Sequence, residues 1–349
     1  MMAQFLNSLE ALYQAFDGLS VEGGWHRRAP ALWSEPRKNF LPFRWRYADV
    51  KPILDAAGSL VDHAMADRRN LTMTNPVEGN LYATVRTMVA AYQLIKPGET
   101  ADAHRHTPNA LRIILEGSGT FTVVNGVRVE MRPGDVLLTP SWTWHSHSSN
   151  GTDDCYWVDV LDVPLVHLME GMFFERHPEK LESSVVDADS SPIAFRWEDS
   201  VARLEKAATP ANGMAEREIQ LGDPALRTVA LHVQRFGADF KSELFRTTAN
   251  SVFTVIKGSG RTWVDGHAIE WSMGDVIAIP AWRAHCHEVD TESFMVRASD
   301  EPVMRAIDML REEVLPAQSE ARRRNASGLC SDLVPDSINR QNETDHAPS

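Results

Sequence analysis

A long internal repeat constrains the fold of this chain more than any other feature of its sequence. The segment LEGSGTFTVVNGVRVEMRPGDVLLTPSWTWHSH in the first half matches IKGSGRTWVDGHAIEWSMGDVIAIPAWRAHCH in the second half. Gly117 and Gly258 lie 141 residues apart, while His145 and His285 lie 140 apart, so a one-residue change separates the two copies. Each copy has the glycine and proline punctuation that separates short strands. The repeat therefore predicts two tandem all-β units, each a small barrel or jelly roll.

Length, charge and cysteine content restrict the class of protein. At 349 residues the chain has the length of about two domains. It contains no run of about 18 apolar residues, so no membrane span is expected. The net charge of -13 argues against nucleic acid as a partner, because nucleic-acid-binding proteins present basic surfaces. The cysteines Cys155, Cys286 and Cys330 are too widely spaced for a disulfide framework or a zinc ribbon, and the N-terminus lacks a signal peptide, which together favour a cytoplasmic location.

The repeat and the segments around it predict five regions. The core is expected to be all-β, with two tandem jelly-roll barrels flanked by N-terminal and C-terminal helices. The regions are an N-terminal helical arm at 1–80, a first barrel at 81–175, a polar linker at 176–222, a second barrel at 223–300, and a C-terminal helix with a polar tail at 301–349.

Helical periodicity marks three segments outside the barrels. The first helix is expected to end at Gly18, and its apolar residues at three- and four-residue steps are Phe5, Leu9, Leu12 and Phe16. A second helix is expected from Asp49 to about Arg69. The third is expected after residue 300, and the residues on its apolar face are Val303, Ile307, Leu310 and Val314.

Three histidines in the first repeat form a candidate metal site. His104 and His106 lie at positions i and i+2 of a predicted strand, so both side chains project from one face. His145 follows 39 residues after His106, at the end of a later strand. No carboxylate stands at Ala110 or Leu111, so a divalent ion would keep its full charge and about three open positions. Ferrous iron suits such a site, although imidazole ligands also accept zinc, manganese, nickel or copper.

The second repeat lacks two of these three histidines. Phe245 and Thr247 stand where the first repeat has its His-x-His pair, and His285 is retained. We therefore expect a second barrel that is structural and interfacial, without a complete metal site. In the first half, Gln93 is polar within an apolar run, which indicates an edge or solvent-facing position or, alternatively, a residue that lines a pocket.

Three stretches resemble one known family. PGETADAHRHTPNALRIILEGSG, LTPSWTWHSH and WVDVLDVPLV are similar to the corresponding stretches of the bicupin ring-cleaving dioxygenases. These include gentisate 1,2-dioxygenase, salicylate 1,2-dioxygenase and 1-hydroxy-2-naphthoate dioxygenase. The similarity extends from about Leu32 to about Leu315.

The resemblance implies an Fe(II)-dependent, extradiol-type dioxygenase with one iron per chain in the N-terminal barrel. Such an enzyme opens the ring of a 2-hydroxybenzoate between the carboxyl- and hydroxyl-bearing carbons, and its partners are the small aromatic hydroxy acid and dioxygen. Gentisate or a 5-substituted salicylate such as 5-nitrosalicylate is the expected substrate, with 1-hydroxy-2-naphthoate as the alternative. The family also implies a homotetramer. Another metal-dependent bicupin enzyme, or a bicupin that binds without catalysis, is the competing interpretation.

The resemblance also assigns residues. His104, His106 and His145 match the iron ligands. Arg112 matches an arginine that binds the substrate carboxylate, a task suited to a guanidinium. His147 matches a histidine that hydrogen-bonds the substrate hydroxyl or moves its proton.

Three further positions match residues of the pocket. Gln93 matches a substrate contact, and Asp159 matches a catalytic partner that orients a histidine or the substrate. Arg68 matches an arginine that reaches the pocket from the N-terminal region, although the neighbouring Arg69 leaves that register open. The chain departs from the family at Val89, where an aromatic residue is common, and this favours a substrate with a larger substituent.

Overall fold

The computed structural model describes residues 7–25, 31–62, 69–182, 185–188 and 191–316. The chain divides into two compact units, Met1–Arg37 and Lys38–Ser349. The N-terminal unit contains helix α1, Leu9–Asp17, whose first turn is capped by Ser8 and whose C-cap is Gly18. The predicted end of this helix at Gly18 is confirmed, while Phe5 lies outside the described residues.

Among the described residues, the larger unit contains four helices and all the strands. The helices are α2, Tyr47–Leu60; α3, Val163–Leu168; α4, Trp197–Lys206; and α5, Glu301–Ala306. The strands of the first half are β1 Phe43–Trp45, β2 Arg69–Thr72, β3 Val89–Ile95, β4 Thr100–His106, β5 Ala110–Glu116, β6 Thr120–Val124, β7 Val127–Glu130, β8 Val136–Thr139, β9 His145–Ser149, β10 Cys155–Leu161, β11 Phe174–Arg176 and β12 Val186–Asp187. Those of the second half are β13 Ala194–Phe195, β14 Arg217–Leu221, β15 Ala230–Phe236, β16 Leu244–Thr247, β17 Ser251–Lys257, β18 Ser259–Val264, β19 His267–Ser272, β20 Val276–Ile279, β21 His285–Val289, β22 Ser293–Ser299 and β23 Glu312–Leu315.

Each repeat forms a two-sheet jelly roll, as predicted. The first barrel has one six-stranded sheet in the order β13-β8-β5-β10-β3-β2 and a second in the order β11-β4-β9-β6-β7-β12. The second barrel has a six-stranded sheet in the order β1-β20-β17-β22-β15-β14 and a five-stranded sheet in the order β19-β18-β21-β16-β23. None of the helices in the described ranges is long and apolar enough to cross a membrane.

The apolar residues form a core shared by the two barrels and a separate core inside each barrel, and strand alternation decides which of these a residue joins. Neighbouring residues of a strand face opposite sides of the sheet. One set joins a core shared by the two barrels, and its members include Tyr92, Ile113, Val158, Val276 and Val296. The other set fills the barrel interiors, with Ile114, Leu137 and Trp157 in the first barrel and Phe253, Ile277 and Met295 in the second. Both faces of these sheets are therefore buried, which explains the nearly continuous apolar runs of β3, β5 and β10.

The two halves exchange their leading strands. β1, from the N-terminal half, pairs with β20 of the second barrel, with Arg44 opposite Ile277. β13, which follows the first barrel, pairs back with β8 of that barrel, with Ala194 opposite Leu137. Each barrel is therefore completed by a strand that precedes the other barrel in the chain.

The Gly-Asp turns of the repeat anchor the helices that follow these exchanged strands. Asp135 accepts a hydrogen bond from the backbone N–H of Trp197, at 2.9 Å, and Asp275 accepts one from Tyr47 at 2.9 Å. These are the first residues of α4 and α2. The glycine before each aspartate has a positive φ, 88° and 84°, and a Cβ there would collide with the same aromatic side chain. The repeated glycine is therefore required both by the turn and by the helix packed on it.

The prediction of one amphipathic helix after residue 300, with Val303 and Val314 on one face, is wrong. Helix α5 ends at Ala306, Asp308 adopts a positive φ of 57°, and the chain then extends as β23. In this strand Val314 pairs with Phe245 of β16. The edge of β16 offers unpaired backbone groups, and pairing with them outweighs the local helical pattern. The first repeat has the same arrangement, since α3 is followed by β11, which pairs with β4.

Two other segments differ from the sequence interpretation. Helix α2 ends at Leu60 rather than near Arg69, which begins β2 and pairs with Leu94 of β3. Segment 176–222, predicted as a polar linker, contains α4 together with strands that belong to both barrels. The apolar run that contains Gln93 forms β3, Val89–Ile95.

Candidate functional site

Three histidine side chains meet inside the first barrel. β4 and β9 are antiparallel, and His104 lies directly opposite His145. His106 follows two residues along the same face of β4. The three ring centroids are 4.3–5.3 Å apart, and one nitrogen from each ring lies within 4.8 Å of the other two. The fold therefore brings together the three residues that the sequence nominated as metal ligands.

Hydrogen bonds to the backbone set the tautomers of two of these rings. Nδ1 of His145 is 3.0 Å from the carbonyl oxygen of Thr143, and Nδ1 of His106 is 2.8 Å from that of Pro108. Because a carbonyl only accepts, Nδ1 carries the proton in each ring and Nε2 presents its lone pair. Burial, followed by the charge of Arg112, holds the pKa of His145 well below its usual value. Three converging imidazoles, two of them buried and one partly buried, fit a divalent transition metal.

The outer surface of β4 is held by a stack of aromatic and charged side chains. Arg105, between the two histidines in sequence, faces outward and lies 4.5 Å from the ring centroids of Trp142 and Trp144. It also donates to Glu175 of β11 at 2.8 Å. Trp142 has a positive φ of 60°, and its N–H donates to the carbonyl of His106 at 2.8 Å. The loop that leads to His145 is therefore tied to the end of the strand that carries His106.

A buried arginine occupies the same barrel interior. Arg112 is only 3% exposed, and its Nη1 donates to Thr139 Oγ1 at 2.6 Å. Its Nε lies 3.5 Å from Asp159 Oδ1 as an ion pair. Burial lowers the pKa of Arg112, and the charge of Asp159 opposes that shift. A buried cation beside a site for a divalent cation favours an anionic ligand.

The remaining candidates of the pocket lie on facing strands. His147 is buried two residues after His145, and its ring centroid is 5.8 Å from that of Trp157. Gln93 pairs with Trp157 across β3 and β10 and is 4% exposed, so the solvent-facing interpretation of Gln93 is wrong. Asp159 is also buried and lies opposite Arg112 in the pairing of β10 with β5. The structure thus places these side chains together inside the first barrel.

Of the two adjacent arginines near the start of the barrel, the structure describes only Arg69. Arg68 lies outside the described residues, and its role stays a prediction. Arg69 is buried, donates to the carbonyl of Val61 at 2.7 Å and forms a two-pronged ion pair with Glu99. The hydrogen bond that Arg69 donates to the Glu99 carboxylate is the main cause of the raised pKa of Arg69. The guanidinium of Arg69 is therefore engaged in its ion pair with Glu99.

Sequence reasoning missed three residues near the site. Thr139 accepts from Arg112, Trp157 lies beside His147, and the ring of Phe174 is 5.2 Å from that of His104. Thr139 directly precedes the Pro-x-Trp turn that both repeats share, and Ile279 stands at its position in the second repeat. The position of Phe174 depends on the return of β11 to β4, which leaves no local pattern in the sequence.

The interior of the second barrel has the same geometry with different chemistry. Phe245 lies directly opposite His285, as His104 lies opposite His145. Phe253 and Arg297 occupy the strand positions that correspond to Arg112 and Asp159. Burial lowers the pKa of His285 to about 4. Phenylalanine and threonine supply no imidazole nitrogen at the positions of the first two ligands.

Comparisons with known proteins agree with this geometry. The cupin domain family matches residues 91–161 and 235–298. The chain is 33% identical over 344 residues to the 5-aminosalicylate 1,2-dioxygenase of Comamonas sp, covering 90% of this chain and 92% of that protein. It is 30% identical over 316 residues to gentisate 1,2 dioxygenase 1 of Aquipseudomonas alcaligenes, covering 82% and 91%. The crystal structure of a salicylate 1,2-dioxygenase from Pseudaminobacter salicylatoxidans matches with a TM-score of 0.81 at 28% identity, covering 88% of this chain and 97% of that chain. The chain therefore belongs to the bicupin ring-cleaving dioxygenases, the family of the gentisate and salicylate 1,2-dioxygenases, and is a ring-cleaving oxidoreductase.

Proposed function

We propose that this enzyme uses Fe(II) and dioxygen to open the ring of a 2-hydroxybenzoate between the carboxyl- and hydroxyl-bearing carbons. Gentisate or a 5-substituted salicylate is the proposed substrate. The observation that carries the proposal is the buried guanidinium of Arg112 in the same barrel interior as the three histidines. That combination suits a ligand with a carboxylate beside a metal-binding hydroxyl. The substrates named for the 5-aminosalicylate, gentisate and salicylate dioxygenases share these two groups.

The three histidines are the proposed ligands of one iron per chain. His104, His106 and His145 would each supply one ring nitrogen to it. When bound, ferrous iron supplies adjacent positions for the substrate oxygens and dioxygen and a path for electrons between them. The structure supports this assignment through the convergence of the three rings.

Protein side chains would bind and orient the substrate. Arg112 would pair with the substrate carboxylate, and its contacts with Thr139 and Asp159 hold the guanidinium in place beforehand. An imidazole nitrogen of His147 would hydrogen-bond the substrate hydroxyl or accept its proton. The amide of Gln93 would contact the substrate from the facing strand.

The size of the side chains on β3 bears on the choice of substrate. Val89 and Ala91 lie on the same face of this strand as Gln93, because they precede it by four and two residues. Small side chains there leave room for a substituent at the 5-position. They equally favour a second fused ring, and 1-hydroxy-2-naphthoate is therefore the second candidate substrate.

Oxygen consumption tests the proposed reaction. The purified protein, loaded anaerobically with Fe(II), is mixed with gentisate, salicylate, 5-amino-, 5-nitro- and 5-chlorosalicylate, and 1-hydroxy-2-naphthoate. We expect oxygen uptake and a new ultraviolet absorbance with at least one of them. His104→Ala should abolish both the retained iron and the turnover. Anaerobic binding of these acids without oxygen uptake in air would refute the proposed reaction.

We also propose that the enzyme is a cytoplasmic homotetramer. Cys155 and Cys286 are buried and form no disulfide within the described residues, which is compatible with a reducing compartment. Exposed apolar side chains lie at the C-terminal end of α3, where Leu168 and Met169 are 68% and 74% exposed, and such a patch suits a subunit contact. Light scattering on the eluting protein would test the assembly, and a monomer at micromolar concentration would contradict it.

A further inference from the structure

A hydrogen-bonded network is centred on Asn109, which is three residues after His106 in the chain. The backbone N–H of Asn109 donates to Asp162 Oδ1 at 2.8 Å, and its side-chain amide donates to Asp162 Oδ2 at 3.1 Å. The same amide donates to Thr228 Oγ1 at 2.9 Å, and the Thr228 hydroxyl donates to Asp162. Asp162 follows β10, which carries Asp159, whereas Thr228 lies between β14 and β15 of the second barrel.

The network also reaches the loop that delivers the third histidine. The backbone N–H of Ser141 donates to Asn109 Oδ1 at 2.9 Å. One residue later, the N–H of Trp142 donates to the carbonyl of His106 at 2.8 Å. These two bonds join the end of the strand that carries His106 to the loop before His145. Movement of Asn109 would therefore change the separation of two candidate ligands.

Asp162 depends on this network because it is buried. Only 1% of its surface is exposed, and burial raises the pKa of its carboxyl group while the hydrogen bonds from Thr228 and Asn109 oppose that rise. A buried carboxylate needs such donors, since an unsatisfied one is costly. One of these donors comes from the second barrel. The position of the loop around Asn109 thus depends on how the two barrels dock.

A matching network exists on the other side of the interface. Asn250 donates to Asp300 through its backbone N–H and its side-chain amide, both at 2.7 Å. Thr87, from the first half, donates to Asp300 at 2.5 Å, and Ala281 donates to Asn250 Oδ1 at 3.1 Å. This network follows Thr247, where the second barrel has no histidine. The chain therefore supplies its own control, with the same bonds but without adjacent ligands.

We propose that Asn109, Asp162 and Thr228 form a positioning clamp through which the second barrel fixes the separation of His106 and His145. The inference rests on the proposed metal site. It assigns to the second barrel a role in the metal affinity of the first, exerted through Thr228 and not through any residue of its own interior. Asn109 and Thr228 are positioning residues, since neither is a proposed ligand.

Metal binding by two matched variants tests the clamp. Thr228→Val and Thr87→Val each remove one hydroxyl that donates to a buried aspartate at the barrel interface. Metal-free protein is titrated anaerobically with Co(II), whose visible absorption reports the site without any turnover. We expect Thr228→Val to weaken Co(II) binding by about 10-fold, the lower end of the effect of residues that orient metal ligands. Thr87→Val should stay within about twofold of the unsubstituted protein, while both variants lower the melting temperature.

Further variants test a conservative substitution and replace the first pair if Thr228→Val does not fold. Thr228→Ser keeps the hydroxyl and should bind Co(II) as the unsubstituted protein does. If Thr228→Val does not fold, Asn109→Ser and Asn250→Ser form the equivalent pair and the same difference is expected. Equal affinity in the two members of a pair would overturn the clamp, as would weak binding by Thr228→Ser. Absence of Co(II) binding by the unsubstituted protein would refute the proposed metal site itself, and the clamp with it.

Discussion

Replacement of Arg112 by methionine tests the central claim about substrate recognition. Methionine is unbranched and apolar, so the substitution removes the charge from a site that is 3% exposed while filling much of its volume. Loss of one partner of a buried, hydrogen-bonded charge pair costs about 2–5 kcal/mol. At about 1.4 kcal/mol per factor of ten, kcat/KM for a salicylate substrate should fall roughly 30-fold to several thousand-fold.

The choice of ligand separates this effect from general damage. Salicylamide keeps the hydroxyl and a carbonyl oxygen but has no carboxylate, so Arg112→Met should change its anaerobic binding far less than that of salicylate. Metal content should be retained, because the candidate ligands are histidines. Arg128→Met is the matched control, since Arg128 lies on the outer strand β7 with an ion pair to Asp187. Equal losses for salicylate and salicylamide, or a kcat/KM within threefold of the unsubstituted enzyme, would show that Arg112 does not bind the carboxylate.

Three further predictions concern the second barrel and the substrate range. Phe245→His with Thr247→His should complete a triad with His285 and raise the metal content to two ions per chain without added turnover, which metal analysis would show; a ratio that stays at one would contradict the geometric equivalence of the barrels. Burial lowers the pKa of His285 to about 4 and of His287 to about 3, below their ordinary 6.5, so both contribute stability above pH 6.5 that is lost as the pH falls. Together they account for about 4 kcal/mol of the change in the free energy of unfolding between pH 7 and pH 5. Replacing both rings by phenylalanine should reduce the change measured in urea by about that amount, and an undiminished change would disprove their burial as neutral rings. Val89→Phe should reduce kcat/KM for 5-nitrosalicylate relative to unsubstituted salicylate, and a ratio that does not move would place Val89 away from the 5-substituent.

The second barrel is not an independent domain beside the first, because the two barrels share structure. It shares a core with the first barrel, receives β1 from the N-terminal half, and supports the first barrel through Thr228. These interface contacts are present although Phe245 and Thr247 stand where the first repeat has two histidines. The interior of the second barrel is correspondingly filled by Phe253 and by buried histidines that no proposed step uses.

The site was predictable from sequence where its residues are close together in one repeat. His104 and His106 share a strand face, and the repeat aligned the third ligand, His145, with His285. The expected position of His145 at the end of a strand is wrong, because His145 begins β9. Arg112 and His147 followed from resemblance to a known family. Gln93 was left open between solvent and pocket, because a polar residue in an apolar strand has the same pattern in both cases. Only the pairing with β2 and β10 showed that it is buried.

The amino-acid sequence by itself determined the two-barrel architecture and the histidine triad, because both follow from local periodicity and from the repeat. Tertiary structure alone decided which strands complete each barrel. β1 and β13 cross to the other repeat, and β23 forms where the sequence favours a helix, since unpaired sheet edges attract any segment that can reach them. The ties between Asn109, Asp162 and Thr228 are likewise long-range, across 119 residues for Asn109 and Thr228, and no local pattern of residues records them.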